Sequence, residues 1–269
     1  TNYYERYDEN GRLLSKHGMI EYITTMKYVE KYLQPGMRIL EIGAATGRYS
    51  HALAQKGYCV DAVELVEHNI EIFKQNTTPG ETVTVTQGNA MDISMFEDDT
   101  YDITLLLGPL YHLFTTEDKL KALSEAIRVT KKNGVVFAAY CMGDASVLSY
   151  GFIRGEIYNI IEKCMLNTET FDTFSNPWDI FELHRKEDID TLIPYINKPV
   201  YVKGFCWNKR FDGWVVIYDN DKSWNDMNLM FDYRGKSYSV YGFLPSNLTL
   251  SMSSTYNNAI YKDEIKERF

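Results

Sequence analysis

A chain of 269 residues, 45% apolar and 24% charged, is long enough to bury a sizeable core and has the composition of an ordinary soluble globular protein. Its formal net charge of −9 argues against broad nucleic-acid binding, because phosphate contact needs clustered Lys and Arg. No apolar run is long enough for a membrane span, the polar start Thr1–Arg6 holds no secretory h-region, and Cys59, Cys141, Cys164 and Cys206 are far apart with no C-x-x-C pair. The expectation is therefore a cytoplasmic protein with reduced thiols, no nucleic-acid or membrane partner, and a small-molecule or acceptor-protein substrate.

Residues 1–15 carry Tyr3, Tyr4, Tyr7 and Arg12 among acids, with too few aliphatics for a core of their own. They read either as a solvated arm or as a lid over a ligand. From Ser15 to Leu33, Met19, Ile23, Met26, Val29 and Leu33 recur at three- and four-residue steps, predicting an amphipathic helix stopped by Pro35-Gly36. The stretch from Met37 to Glu64 organises the rest of the chain. Arg38–Ile42 reads as a buried strand, Gly43-Ala44-Ala45-Thr46-Gly47 as a turn of small residues, the segment up to Gly57 as a helix, and Tyr58–Val63 as a second strand ending at the acid Glu64. In such a unit the carboxyl ends of the strands form the ligand edge. Small residues let a ligand approach backbone N–H groups, and an acid after the second strand can accept from both hydroxyls of a ribose. The layout describes a nucleoside site.

A short helix over Glu67–Gln75 leads to the β-branched strand Thr82–Thr86, and Gly88-Asn89-Ala90 comes after it. Tyr101–Leu107 is a nearly continuous apolar run, as a strand covered on both faces requires, and it enters Gly108-Pro109-Leu110-Tyr111-His112. Thr115–Asp118 reads as a capped helix start, Asn133-Gly134 as that helix's stop, and Val135–Tyr140 as a fifth strand. Alternating strands and helices predict an α/β fold: a doubly wound, mostly parallel sheet with helices on both faces. Beyond Met142 the pattern weakens. Residues 145–165 suggest helical cover and Lys186–Ile196 a further helix. Val200–Cys206 with Gly213–Tyr218 suggests an antiparallel pair that completes seven strands, and Arg234-Gly235-Lys236 suggests a hairpin; Leu248–Met252 is the alternative last strand. We expect one domain over 1–269, made of an N-terminal arm and helix (1–34), a core (35–142), a helical insertion or lid (143–200), and closing strands with an aromatic-rich tail (200–269).

The glycines of the first loop fit a dinucleotide fingerprint poorly. Ala45 replaces the middle glycine of G-x-G-x-x-G, and Glu41 puts a negative charge where a pyrophosphate would bind. An acid there suits a ligand carrying an ammonium group. Glu41-x-Gly43-x-x-x-Gly47, Glu64, Gly88-Asn89-Ala90 and the run from Phe96 to Leu113 into a helix and strand, in that order over residues 35–142, resemble the motifs of class I S-adenosylmethionine-dependent methyltransferases of the bacterial small-molecule type. The resemblance implies S-adenosyl-L-methionine as cofactor. It also implies contacts to that cofactor from Glu41, Gly43, Ala44 and Gly47 in the loop, from Glu64 with Leu65 at the ribose, from Asn89 with Ala90 at the adenine, and from Leu107. Asn89 departs from the usual Asp of that family, although its amide oxygen can still accept from an amino group.

The expected reaction is methyl transfer to an oxygen, nitrogen or carbon nucleophile of a small molecule. His112 is the candidate base, with Tyr111 as an alternative acid–base or positioning group, and both also read as packed structural side chains. Tyr140 and Asp144 are candidate acceptor-pocket residues. His17, His51, His68 and His184 have no partner at metal spacing, so no metal site is expected. The alternatives are a non-catalytic nucleoside-binding regulatory or scaffold module and, further off, an NAD-dependent oxidoreductase. A homodimer is compatible with the sequence.

Overall fold

Strands at the centre of a parallel sheet are covered on both faces, whereas an edge strand keeps one wet side, and the burial of this chain obeys that rule. The computed structural model describes residues 11, 16–177, 179–185, 188, 192, 203–208, 213–219, 228–233, 236–243 and 251–252. By contacts the chain divides into two units: Thr1–Cys141 with Asn176–Glu182 and Leu192–Ile196, and Met142–Ser175 with Leu183–Thr191 and Asn197–Phe269.

The first unit is built on five parallel strands, β1 (Arg38–Ile42), β2 (Cys59–Glu64), β3 (Val83–Gln87), β4 (Tyr101–Leu106) and β5 (Thr130–Ala138), in the order β3-β2-β1-β4-β5. Central β1 and β4 are buried almost throughout, while β3, at one edge, alternates half-buried Val83 and Val85 with exposed threonines. Helices α1 (Lys16–Glu30) and α2 (Arg48–Gln55) bring Met26, Val29, Tyr49, Leu53 and Ala54 onto Ile39, Val60, Ile103 and Leu105. Phe73 of α3 (Glu67–Asn76) packs with Ala44 and Ala62. Helix α4 (Thr116–Val129) joins β4 to β5 by way of a 3-10 turn at Pro109–His112 and covers the opposite face of the sheet. The expected capped start is present, with Thr115 Oγ1 accepting from Asp118 N at 3.1 Å.

One boundary differs from the sequence reading. Helix α4 ends at Val129 rather than at Asn133-Gly134, and β5 begins at Thr130. Tyr101 pairs with Thr130 and Ile103 with Val135, so the residues between bulge out of the ladder, and the Asn133-Gly134 turn belongs to that bulge. Thr130 ends the helix because its hydroxyl is engaged by Ala126 O and by Thr104 Oγ1, at 2.5 and 2.6 Å.

The second unit opens with helical turns over Gly143–Ser146, Val147–Ile153 (a π-helix) and Ile157–Glu162. Strands β6 (Lys203–Asn208) and β7 (Gly213–Asp219) form the expected antiparallel pair, as a two-stranded sheet of their own. Strands β8 (Asn228–Tyr233) and β9 (Lys236–Phe243) form the expected hairpin, with Tyr233 opposite Lys236. Within the alternative last core strand, Ser251–Met252 forms β10, which pairs with β9 in a three-stranded sheet and not with the five parallel strands. The N-terminal lid and most of the Lys186–Ile196 helix lie outside the described residues. Among those residues, no helix is long and apolar enough to cross a membrane, and no three His, Cys, Asp or Glu stand together as metal ligands would.

Candidate cofactor-binding and active site

The order of strands reverses between β1 and β4, and in an open parallel sheet the crevice at the carboxyl ends beside that switch point is where ligands bind. The loops after β1, β2, β3 and β4 follow these ends; the residues expected from the sequence stand in them, except Glu41, which lies within β1, and Glu64, the last residue of β2.

The loop after β1 turns through three left-handed residues: Gly43 (φ 77°), Ala45 (φ 49°) and Gly47 (φ 85°). Glycine is required at two of them for space as well as conformation. A Cβ on Gly43 would come 2.8 Å from Cδ of Pro109, and one on Gly47 would come 2.5 Å from the Phe73 ring. Ala45 holds a conformation that costs an L-residue roughly 1–2 kcal/mol. Its N–H is anchored in return, donating to Glu64 Oε2 at 2.7 Å.

Two buried carboxylates bracket this loop. Glu41 in β1 is 2% exposed, and its Oε2 accepts from both the N–H and the hydroxyl of Ser50, at 2.9 and 2.5 Å. Burial pushes its carboxyl up to about 8; the Ser50 bonds oppose the rise and the nearby Glu64 charge adds to it. Glu64 closes β2. Its Oε1 accepts from Val66 N at 2.9 Å and Asn69 Nδ2 at 3.3 Å, and its Oε2 takes the Ala45 N–H. The expected ribose acceptor is thus already a bridge between the glycine loop and the start of α3. Ala44 is buried beneath the loop, and Leu65 is 49% exposed beside it.

After β3, Gly88 donates to Glu64 O at 3.0 Å, and a Cβ there would come 2.9 Å from Val63. Asn89 is exposed and its Oδ1 accepts from Met91 N at 3.0 Å, so it shapes a turn at the place assigned to adenine; Ala90 beside it is half-buried. The next loop is clamped from α4. Arg128 donates to Phe96 O, Ile93 O, Asp98 and Glu125, and Glu125 accepts from Ile93 N.

After β4, Leu107 is half-buried and Gly108 lies close to the β1 loop, since a Cβ on it would sit 3.6 Å from Gly43 O and 3.7 Å from Tyr111 Oη. Gly108 thus has the Gly43 carbonyl and the Tyr111 hydroxyl as neighbours. His112 comes next in the same 3-10 turn, with Nδ1 2.8 Å from Ile180 O. A carbonyl only accepts, so this bond puts the proton on Nδ1 and, in the neutral ring, the lone pair on Nε2. Burial holds the ring's pKa below its ordinary value, and the Ile180 bond opposes that shift. Asp144 belongs to the second unit, where it lies 3.8 Å from Arg185 Nε.

Three supporting residues were not anticipated: Ser50, Asn69 and Arg128. Asn69 carried a visible signal, a polar side chain on the inner stripe of a helix otherwise buried through Ile70 and Phe73. His51 also acquires acceptors at both ring nitrogens, Glu81 Oε2 at 2.7 Å and Phe73 O at 3.2 Å, directly under Gly47.

Residues 39–134 match the methyltransferase-domain family. The chain is similar to a demethylmenaquinone methyltransferase of Clavibacter sepedonicus, 33% identical over 100 residues that make up 37% of this chain and 39% of that protein. It is also similar to a ubiquinone biosynthesis O-methyltransferase of Rickettsia typhi, 23% identical over 229 residues, 82% of this chain and 81% of the relative. The chain spans less than half the length of the first curated relatives it matches. Its fold superposes on a SAM-dependent methyltransferase from Methanosarcina mazei with a TM-score of 0.51 at 18% identity, covering 68% of this chain and 90% of that one. Residues 39–134 thus match a methyltransferase domain, on a sheet whose strand order is the one found in the Rossmann-like fold of class I S-adenosylmethionine-dependent methyltransferases.

Proposed function

We propose that the protein transfers a methyl group from S-adenosyl-L-methionine to a nucleophile of a small molecule, among oxygen, nitrogen and carbon acceptors first of all a hydroxyl oxygen. The observation that carries this reading is the pair of buried carboxylates, Glu41 and Glu64, on either side of a loop whose glycines leave no room for a Cβ. The residues fit the cofactor in charge and in shape. Glu41, desolvated and bonded only to Ser50 among the described residues, suits an ammonium group, and Glu64, with three acceptor positions taken, keeps one on Oε2 for a ribose hydroxyl. The bare loop admits close approach, and the Asn89–Ala90 turn stands where an adenine edge would lie. Bound there, the cofactor supplies an electrophilic methyl on a sulfonium.

The chain's own task is then to align the acceptor, exclude water and take up a proton. Alignment in such a site is worth up to about 7–11 kcal/mol. A base adds roughly 10²–10⁴-fold. His112 is assigned the proton, at Nε2, because its Nδ1–H is committed to Ile180 O and burial keeps the ring neutral near physiological pH. Tyr111 is assigned to orientation, its hydroxyl standing by Gly108 after β4. A hydroxyl acceptor needs such a base more than a neutral amine does. The relatives matched along most of the chain are named O-methyltransferases, which points the same way.

The test is calorimetry with S-adenosylhomocysteine and with a nicotinamide dinucleotide, then turnover on a panel of hydroxylated, amino and activated-methylene acceptors. Binding of the first and not the second is expected; the reverse would overturn the proposal. On whichever acceptor turns over, His112→Ala should lower kcat by about 10²-fold or more while S-adenosylhomocysteine affinity stays within about twofold. Unchanged kcat would leave His112 a structural residue.

A further inference from the structure

Residues Asn176–Glu182 return to the first unit after an excursion through the second and lie across the 3-10 turn after β4. The segment is closed at its start by a turn, with Asp179 N donating to Asn176 O at 2.8 Å. Three contacts then hold it to the β4 edge. Ile180 O accepts the His112 Nδ1–H at 2.8 Å, Glu182 N donates to Tyr111 O at 2.8 Å, and the Glu182 carboxylate forms an ion pair with Lys119 Nζ. The Phe181 ring packs at centroid distances of 5.5 Å from Tyr111 and 5.4 Å from His112.

The ion pair has a more buried cation than the other Lys and Arg bridges of the unit. Lys119 lies in the first turn of α4, yet it is 6% exposed and shares the buried side of the helix with Ala122, Leu123 and Ala126. A buried ammonium needs its counter-charge at a defined place, so the pair sets position as well as contributing energy. The hydroxyl of Thr115 and the backbone of the capped first turn already fix where Lys119 stands. Glu182 is thereby fixed relative to α4. Two residues earlier in the segment, the Ile180 carbonyl is fixed relative to His112.

We propose that Lys119 and Glu182 are positioning residues: their ion pair pins the 176–182 segment so that the Ile180 carbonyl holds His112 in the Nδ1–H tautomer, with Nε2 presented as acceptor of the substrate's proton. This rests on the reading of His112 as the base. Neither residue touches cofactor or substrate in this scheme; both act through Ile180 and the imidazole. The same pinning makes Ile180 and Phe181, each 39% exposed, an apolar wall beside the base.

The test reads the tautomer directly, by ¹⁵N NMR of the His112 ring in the full chain saturated with S-adenosylhomocysteine, so that it needs no identified acceptor. The wild type is expected to show one Nδ1–H form. Glu182→Gln should give a mixture in which the Nε2–H form is substantially populated, while Glu182→Asp restores most of the wild-type signal and S-adenosylhomocysteine affinity stays within about twofold in both, because the cofactor loop is not touched. Should Glu182→Gln not fold, the pair Lys119→Met with Glu182→Leu removes both charges at similar volume and should give the same mixture. An unchanged tautomer in the variant that folds would overturn the proposal, as would a mixture accompanied by a parallel loss of cofactor affinity. Failure of the wild type to bind S-adenosylhomocysteine would instead defeat the methyltransferase reading, and the tautomer comparison could still be made on the protein alone.

Discussion

Glu41 makes the folded protein less stable than it could be, and the size of that penalty can be worked out. The carboxyl rises from an ordinary 4.5 to about 8 on folding, mainly because burial disfavours its charge. A raised folded pKa means the native state holds the proton more tightly than the unfolded chain. The stabilisation is therefore fully present below about pH 4.5 and is lost as pH rises through 8. At ~1.4 kcal/mol per pH unit, that interval amounts to something on the order of 5 kcal/mol. Glu41→Gln keeps the shape and an oxygen for the Ser50 bonds but carries no charge. The variant should melt about 10–20 °C above the wild type near pH 9, at roughly 2–4 °C per kcal/mol, and the gap should close by about pH 5. Calorimetric melts across that range are the assay. The cofactor should show the opposite preference. If the ammonium group needs the ionised carboxylate, wild-type affinity for S-adenosylhomocysteine rises up to tenfold per pH unit below about 8, and the Gln variant binds weakly at every pH. A melting gap that does not change with pH, or a Gln variant less stable at alkaline pH, would refute the reasoning. A pH-dependent gap with unaltered cofactor affinity would keep the electrostatics and remove Glu41 from the ligand.

Gly47→Ala combines left-handed strain of ~1–2 kcal/mol with overpacking of ~1–3 kcal/mol against Phe73 and His51, so a fall of roughly 10 °C in Tm is expected. Gly36→Ala, at a similar φ with nothing within 4 Å, should show only the strain; equal losses at the two sites would remove the steric argument. Arg128→Lys replaces a five-donor fork with a point charge, and should cost about 1.5–3 kcal/mol while speeding hydrogen exchange at Ile93 and Phe96. Exchange unchanged in that loop would mean the clamp is not what orders it.

The core was legible because its physics is local. Continuous apolar runs such as Tyr101–Leu106 mark strands covered on both faces, and a loop with glycines at Gly43 and Gly47 after one of them marks the ligand edge. Thr115 announced the start of α4 through its spacing to Asp118. The end of that helix was not legible. Asn133-Gly134 reads as a stop in sequence, but the choice is made at Thr130 by hydroxyl bonds to Ala126 and Thr104 that no periodicity shows. The left-handed turn at Ala45 was hidden for a related reason, since alanine gives no hint of it and a carboxylate nineteen residues away stabilises it. The segment 176–182 has no repeating pattern and contributes largely through a main-chain carbonyl, which any residue possesses.

Glu64 has a consequence for how this site meets its ligand. Its two oxygens tie the main chain of the β1 loop to the start of α3, so the carboxylate proposed to receive a ribose is held in place before any nucleoside arrives. Association then need not wait for a loop to order, and little entropy remains to be lost on docking. The same economy narrows evolutionary freedom: no substitution at Glu64 can alter the proposed sugar contact without also releasing the left-handed Ala45 and the Val66 N–H before α3.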